Sequence, residues 1–133
     1  MINTTTFSYQ HIVSENEIDR LNHVNNVVYV QWVQEAATKH WKLLSKNTQL
    51  NEEYSWVVLR HEIDYKKQAK IHDKLTIKTW VGETTGVTSI RFVEIYNENI
   101  LIAHAKTTWC LIDNQKFKPA RITASLLAVL KHK

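Results

Sequence analysis

The stretch that decides the fold class runs from residue 26 to residue 44 and reads NVVYVQWVQEAATKHWKLL. Its apolar and aromatic residues recur at intervals of three and four, the spacing of one face of an α-helix. These residues are Tyr29, Trp32, Val33, Ala36, Ala37, His40, Trp41 and Leu44. Val27, Val28 and Val30 add apolar side chains on other faces, and a helix that is apolar on several sides is usually enclosed. The pattern predicts a long, enclosed helix of about five turns.

The segments on either side of this helix have the alternation of β-strands. Phe7 to Val13 alternates apolar with polar residues ahead of the helix. Four further strand candidates follow it: 56–65, 74–81, 87–96 and 100–112. Gly82–Gly86 and Asn97–Asn99 are typical of hairpin turns between them, and residues 122–130, after Pro119, suggest a short C-terminal helix. We expect an α+β domain in which a five-stranded antiparallel sheet wraps around one long central helix.

Length and composition favour one domain and exclude several kinds of protein. The 133 residues contain no linker or repeat, which fits a single domain over residues 1–133. They include two glycines and one proline, where average usage gives about nine and seven, so glycine-rich nucleotide loops are excluded. A lone cysteine, Cys110, builds no disulfide framework, and no secretory or membrane-spanning segment is evident. We therefore expect a cytoplasmic protein. We expect no metal site, because no histidines have the spacing of metal ligands.

The basic charge balance raises the question of nucleic acid. The chain has 17 Lys and Arg against 13 Asp and Glu, a net charge of +4. The basic residues are dispersed, however, and the densest cluster, Lys66, Lys67 and Lys70, lacks the interleaved aromatics of a recognition module. A solvated surface or a site for a phosphate-bearing small molecule explains the charge better, so we expect no nucleic-acid partner.

The segment before the helix, EIDRLNHVNNVVY at residues 17–29, concentrates reactive side chains. It places a carboxylate (Asp19), an imidazole (His23) and two carboxamides (Asn25 and Asn26) close together. The first amides of a helix have no intrahelical partner and carry positive potential, so they stabilise an anion or a developing oxyanion. Asp19 beside them would act as a base or a nucleophile. The structural alternative is that Asp19 forms an Asx-type turn and that Asn25 or Asn26 only caps the helix.

A resemblance to a known family rests on the run Asp19-xxx-His23-Val24-Asn25-Asn26-xx-Tyr29-xx-Trp32-xx-Glu35-Ala36. This run resembles the signature of the hotdog-fold thioesterases and is most similar to their 4-hydroxybenzoyl-CoA thioesterase-like and acyl-ACP thioesterase branch. Ile63-Asp64-Tyr65, Ala69 and the strand starting at Asp73 are similar to that family's second and third strands, so the resemblance covers nearly the whole chain.

The resemblance implies a hotdog fold and an enzyme of fatty acid metabolism that hydrolyses an acyl-CoA or acyl-ACP thioester to a carboxylic acid and a thiol. Coenzyme A would be part of the substrate, with no separate cofactor. Asp19 matches the catalytic aspartate, which attacks the carbonyl or activates a water, and His23 would orient Asp19 or contact the thioester oxygen. Backbone amides near Val24 and Asn25, or in Ser55–Val57, would polarise the carbonyl.

The resemblance further implies a homodimer, with a tetramer as the alternative, whose active sites lie at the subunit interface with the acyl chain in a tunnel. The expected substrate-binding residues are Asn25, Asn26, Tyr29, Trp56, Val57, Val58, Lys66 and Arg91. Lys66 and Arg91 would meet the phosphates of CoA. The ordinary alternatives are that Tyr29 and Val58 belong to the core, that Lys66 is solvated and that Arg91 is an exposed strand residue.

Departures from the family narrow the chemistry. Leu21 stands where plant-type acyl-ACP thioesterases have a catalytic asparagine, so we expect no such residue here. Asp19 and His23 are four residues apart without an intervening proline, whereas hotdog hydratases typically have a spacing of five with proline between. Hydratase chemistry is therefore the weaker interpretation. The alternative function of another class is a non-catalytic subunit that binds acyl-CoA or serves assembly.

Overall fold

A curled antiparallel sheet packs around one face of the long helix α1, Asn26–Leu44, in a computed structural model that describes residues 5–131. The five main strands are β1 Phe7–Ile12, β2 Tyr54–Tyr65, β3 Lys74–Thr85, β4 Thr88–Asn97 and β5 Ile100–Asp113. They lie in the order β1-β3-β4-β5-β2, and a two-residue strand β6, Lys118–Pro119, pairs with β5. Two short helices, α2 Leu50–Glu53 and α3 Ala124–Leu130, complete the fold. The predicted hotdog architecture is confirmed.

The core lies between α1 and the inner face of the sheet. Leu75 and Ile77 of β3 and Val93 and Ile95 of β4 are at most 1 % exposed. They pack in one apolar cluster with the helix side chains that the periodicity singled out, among them Tyr29, Trp32, Val33 and Ala36. Burial of this apolar surface is the main force that holds the helix in the curl of the sheet.

The turn between β3 and β4 differs from the sequence prediction. β3 continues through Gly82 to Thr85, and the turn consists of Gly86 and Val87, with Gly86 at φ +63°. Gly82 lies inside the strand, at a register shift between Val81 and Thr84, where a Cβ atom would come within 2.6 Å of the Phe92 ring. The prediction of a turn that begins at Gly82 is therefore wrong. This glycine makes room for an aromatic ring of the neighbouring strand.

The segment between β2 and β3 fixes the start of α1. Ala69 is fully buried; its backbone N–H donates to the Tyr29 hydroxyl (3.0 Å), and its carbonyl accepts from the N–H of Val24 (3.2 Å). The N–H of Val13 donates to the Asp73 carbonyl (3.0 Å) and anchors the same segment to the end of β1. Residues 66–73 therefore hold the loop that precedes α1 in a defined position.

Candidate active site

The loop before α1 is a tight, internally bonded turn. Ile18 and Val24 form an antiparallel bridge, and inside it the N–H of Asp19 donates to the His23 carbonyl (2.8 Å). Asn22 adopts φ +61°, a left-handed conformation that asparagine tolerates better than most residues. Asp19 and His23 therefore stand at the two ends of one short turn.

The two oxygens of the Asp19 carboxylate have different surroundings. Oδ1 accepts hydrogen bonds from the N–H groups of Leu21 (2.8 Å) and His23 (3.1 Å), which is the expected Asx-type turn. Oδ2 accepts no hydrogen bond from residues 5–131, and the residue is exposed. The Asx turn thus orients the carboxylate without occupying both of its oxygens.

The backbone amides from Val24 to Val28 have acceptors within the described residues, with one exception. Asn25 is the N-cap, and its Oδ1 accepts from the N–H of Val27 (3.1 Å), while its carbonyl accepts from Val28 (2.9 Å). The N–H of Val24 is bonded to Ala69, and that of Asn25 donates to the Glu17 carbonyl (3.2 Å). The expected carbonyl donors Val24 and Asn25 are thus bonded within the protein. Within the described residues, the backbone N–H of Asn26 donates to no protein acceptor.

Glu17 supports this site, although the sequence analysis gave it no role. Its carboxylate accepts from the Trp32 indole (2.8 Å), the Ser14 N–H (2.9 Å) and His11 Nε2 (2.9 Å). Burial opposes ionisation of Glu17, but these hydrogen bonds outweigh it and lower the pKa of the carboxyl. The signal in the sequence is the capping box of Ser14 and Glu17, three residues apart. Glu17, in a 3₁₀ helix over Glu15–Glu17, thereby ties β1 and α1 to the segment that leads into Asp19.

Arg91 is buried on the inner face of β4. It is 6 % exposed, so its interpretation as an exposed strand residue is wrong. It belongs to the inward-facing set of β4 with Ser89 and Val93, and one guanidinium nitrogen, Nη1, lies 2.8 Å from His40 Nδ1 and 3.2 Å from Thr79 Oγ1. Burial, together with the charge of Arg91, lowers the pKa of His40 to about 4, so the ring is neutral at pH 7 and Nδ1 accepts.

Arg91 also borders a cavity of about 250 Å³ at the far end of α1 from Asp19. The cavity lies between the last turns of α1, the start of β2 and the inner face of β4 and β5. Trp56, one of the predicted substrate-binding residues, lines it, with its ring 5.7 Å from that of Trp41.

Comparison with known proteins identifies the family. The family model of the thioesterase-like superfamily matches residues 13–130. The chain belongs to this superfamily. The predicted family and the predicted class of enzyme are thereby confirmed.

Individual relatives agree with this assignment. The chain is 26% identical to acyl-CoA thioester hydrolase YbgC of Escherichia coli, over 98% of this chain and 99% of that protein. The structure of YbaW, a probable thioesterase from Escherichia coli, superposes with a TM-score of 0.80 at 25% identity, covering 94% of this chain and 98% of that one. Slr0204 of Synechocystis, a 1,4-dihydroxy-2-naphthoyl-CoA thioesterase, shares the fold with a TM-score of 0.80 at 20% identity, over 95% and 96% of the two chains.

The other predicted substrate-binding residues lie in different parts of the structure. Tyr29 lies in the core, 1 % exposed, and Val58 is half-buried on the inner face of β2. Val57 lies on the outer face and is 42 % exposed. Lys66 is exposed in the segment that contacts the Asp19 loop through Ala69, so it shares that end of the molecule.

Within residues 5–131, no group of three or more His, Cys, Asp or Glu side chains is placed to hold a metal ion. None of the helices in this range combines the length and apolar character needed to cross a membrane.

The environment of His40 predicts an unusual titration. An unfolded chain protonates this imidazole below its ordinary pKa of 6.5, whereas the folded protein does so only near pH 4. The His40 contribution to stability is therefore complete above pH 6.5 and is lost as the pH falls towards 4. In an NMR titration, assigned with a His40→Gln variant, we expect the His40 midpoint to lie below about 5. A midpoint near 6.5 would show that the ring is solvated.

Proposed function

We propose that this chain hydrolyses acyl-CoA thioesters to a carboxylic acid and free CoA, with Asp19 and the backbone N–H of Asn26 as the catalytic groups. The proposal depends on one observation in a thioesterase-like protein: the loop before α1 leaves one carboxylate oxygen and one helix-start donor without hydrogen-bond partners among residues 5–131. The curated relative acyl-CoA thioester hydrolase YbgC supports CoA as the carrier.

The free groups have the polarity that thioester hydrolysis needs. The carbonyl oxygen gains negative charge as the tetrahedral intermediate forms, and a preorganised N–H at a helix start stabilises that charge. Oδ2 of Asp19 either takes a proton from the attacking water or attacks the carbonyl carbon itself, after which water hydrolyses the acyl-aspartate. Both routes release the thiol and the acid. His23 acts through its backbone N–H, which holds Oδ1 of Asp19 in place.

Lysines at the same end suit the phosphates of CoA. Lys66, Lys67 and Lys70 are exposed in the segment that is bonded to the active-site loop at Ala69. Their side chains place positive charge beside the loop that carries Asp19, and this charge complements the nucleotide part of the substrate. They replace Arg91 in this role, because Arg91 faces the inner cavity.

The open edge of β2 favours a homodimer. β2 is an edge strand of twelve residues with exposed Val57 (42 %) and Leu59 (60 %), and such an edge is a template for pairing. Antiparallel pairing of two copies about the register shift at Leu59 would place Trp56 opposite Glu62 and Val57 opposite His61 of the other copy, in the half of β2 that ends at Tyr65. The Tyr65 ring lies 5.3 Å from that of Tyr29, so this end adjoins the start of α1. The Ser55–Val57 segment would then lie along the half of β2 that leads to the active site of the second copy.

Replacement of the carboxylate tests the role of Asp19. Asp19→Asn retains an oxygen for the Asx turn but removes the negative charge, so we expect thiol release from acyl-CoA to fall by about 10²–10⁴-fold. The assay follows free CoA with a thiol reagent across short, long, branched and aromatic acyl groups. Glu83→Gln, which removes one exposed negative charge from β3, should retain full activity. Saturable acyl-CoA binding by the native protein without thiol release would instead establish a non-catalytic binding subunit.

A proline substitution isolates the backbone donor. Asn26 is the first residue of α1, where proline is tolerated, and Asn25 has φ −63° and ψ 137°, a conformation that a following proline accepts. Asn26→Pro removes only the N–H and the side chain, so we expect a folded protein with kcat lowered by about 10²–10³-fold.

Asn26→Ala is the matched control, because it removes the same side chain and keeps the N–H. Its kcat should stay within a few-fold of the native value. Equal activity of the proline and alanine variants would contradict the role of this amide.

A further inference from the structure

The cavity at the far end of α1 has an apolar wall of aromatic side chains. Trp41 of α1, Tyr54 and Trp56 of β2 and Trp109 of β5 line it, and its volume is about 250 Å³. An apolar cavity of about 150 Å³ accommodates benzene. The space is therefore sufficient for one aromatic ring, or an alkyl group of similar size, together with a polar substituent.

The wall also contains one buried donor without an acceptor and one buried cation without a counter-ion among the described residues. The indole Nε1 of Trp109 is buried and has no hydrogen-bond partner in the part of the chain that the structure describes. Arg91 is only 6 % exposed. It forms no ion pair within the described residues, because the ion pairs there join His11 to Glu17 and Arg60 to Glu62. Buried donors are nearly always paired and buried cations usually have a counter-ion, so the two groups together point to an anionic acceptor from outside the chain.

The protein partners of Arg91 leave its charge uncompensated. Both His40 and Thr79 contact the same nitrogen, Nη1, and both are neutral acceptors. A guanidinium presents five N–H donors in a planar fork, which matches a carboxylate in a bidentate pair. A buried cation without a counter-ion is unfavourable, and an anionic ligand would remove that penalty.

We propose that this cavity binds the carboxylate of a small aromatic or apolar acid, with Arg91 pairing with the carboxylate and Trp109 donating its indole N–H. The rings of Trp41 and Trp56 contact the apolar body of the ligand. Within one copy the site is separate from Asp19, since residues 26 and 37 of α1 are roughly 16 Å apart along the helix axis. The cavity adds a second ligand-binding site to the proposed function, and binding of a ligand there does not depend on hydrolysis.

Binding of free acids tests the site directly. Calorimetric titration of the native protein with benzoate should show saturable binding, and benzamide, which has the same shape without the charge, should bind at least tenfold more weakly. Arg91→Met should weaken benzoate binding at least tenfold, whereas Arg60→Met, which removes an exposed arginine of β2, should not change it. Equal binding of benzoate and benzamide, no saturable binding of benzoate, or an unchanged affinity in a folded Arg91→Met variant would overturn the proposal.

A second variant keeps the test decisive if Arg91→Met does not fold. Trp109→Phe removes only an unpartnered N–H with part of one ring, and it should weaken benzoate binding several-fold while thermal unfolding shows an intact fold. Trp80→Phe, on the outer face where Trp80 stacks on Phe92, should leave the affinity unchanged. Equal affinities of these two variants would contradict the role of the indole.

A kinetic comparison decides whether the carboxylate belongs to the acyl group of the substrate or to a free acid. Only this comparison rests on the proposed function. Hydrolysis of an acyl-CoA that ends in a carboxylate is compared with that of an acyl-CoA of equal length that ends in a methyl group. A preference for the charged chain that Arg91→Met abolishes would place the acyl group of the substrate in the cavity. No preference, together with benzoate binding, would identify a free acid as the ligand. Loss of benzoate binding would overturn the site even if hydrolysis is intact.

Discussion

The hydrogen bonds on the backbone of Ala69 are the constraint on which the active-site loop depends. The carbonyl of Ala69 accepts a hydrogen bond from the N–H of Val24, and the N–H of Ala69 donates to the hydroxyl of Tyr29. A segment between two strands therefore fixes both the last turn before α1 and the first turn of the helix. Glu17 adds a second anchor through its carbonyl and carboxylate. These hydrogen bonds occupy most of the backbone polar groups near the start of the helix. Chemistry falls to the groups that remain, Oδ2 of Asp19 and the N–H of Asn26.

The fold was largely predictable because helices and strands have different periods. The spacing from Tyr29 to Leu44 gave the long helix, and the bounds of α1 agree with it. Gly82 shows where local patterns fail, since the reason for that glycine is the Phe92 ring on a neighbouring strand. The short helix α2 was missed because residues 50–53 contain one turn without apolar periodicity.

The active site was predictable only in part, because contacts between residues that are distant in the sequence decide which of its groups are free. Asp19, His23 and the asparagines are neighbours in the sequence, so their proximity could be inferred. Which amide is free could not, because the acceptor for Val24 is a carbonyl on a distant segment. The direction of Arg91 likewise depends on the register of β4 with β3 and β5, which alternation alone leaves open.

The central claim is that the free N–H of Asn26 and the free oxygen of Asp19 receive the thioester carbonyl. The most direct measurement is a crystal structure with a CoA ketone in which a methylene group replaces the thioester sulfur. We expect the ketone oxygen within about 3 Å of the Asn26 nitrogen and Oδ2 of Asp19 facing the carbonyl carbon. A ketone oxygen bound to other donors, with Asp19 turned to solvent, would contradict the account.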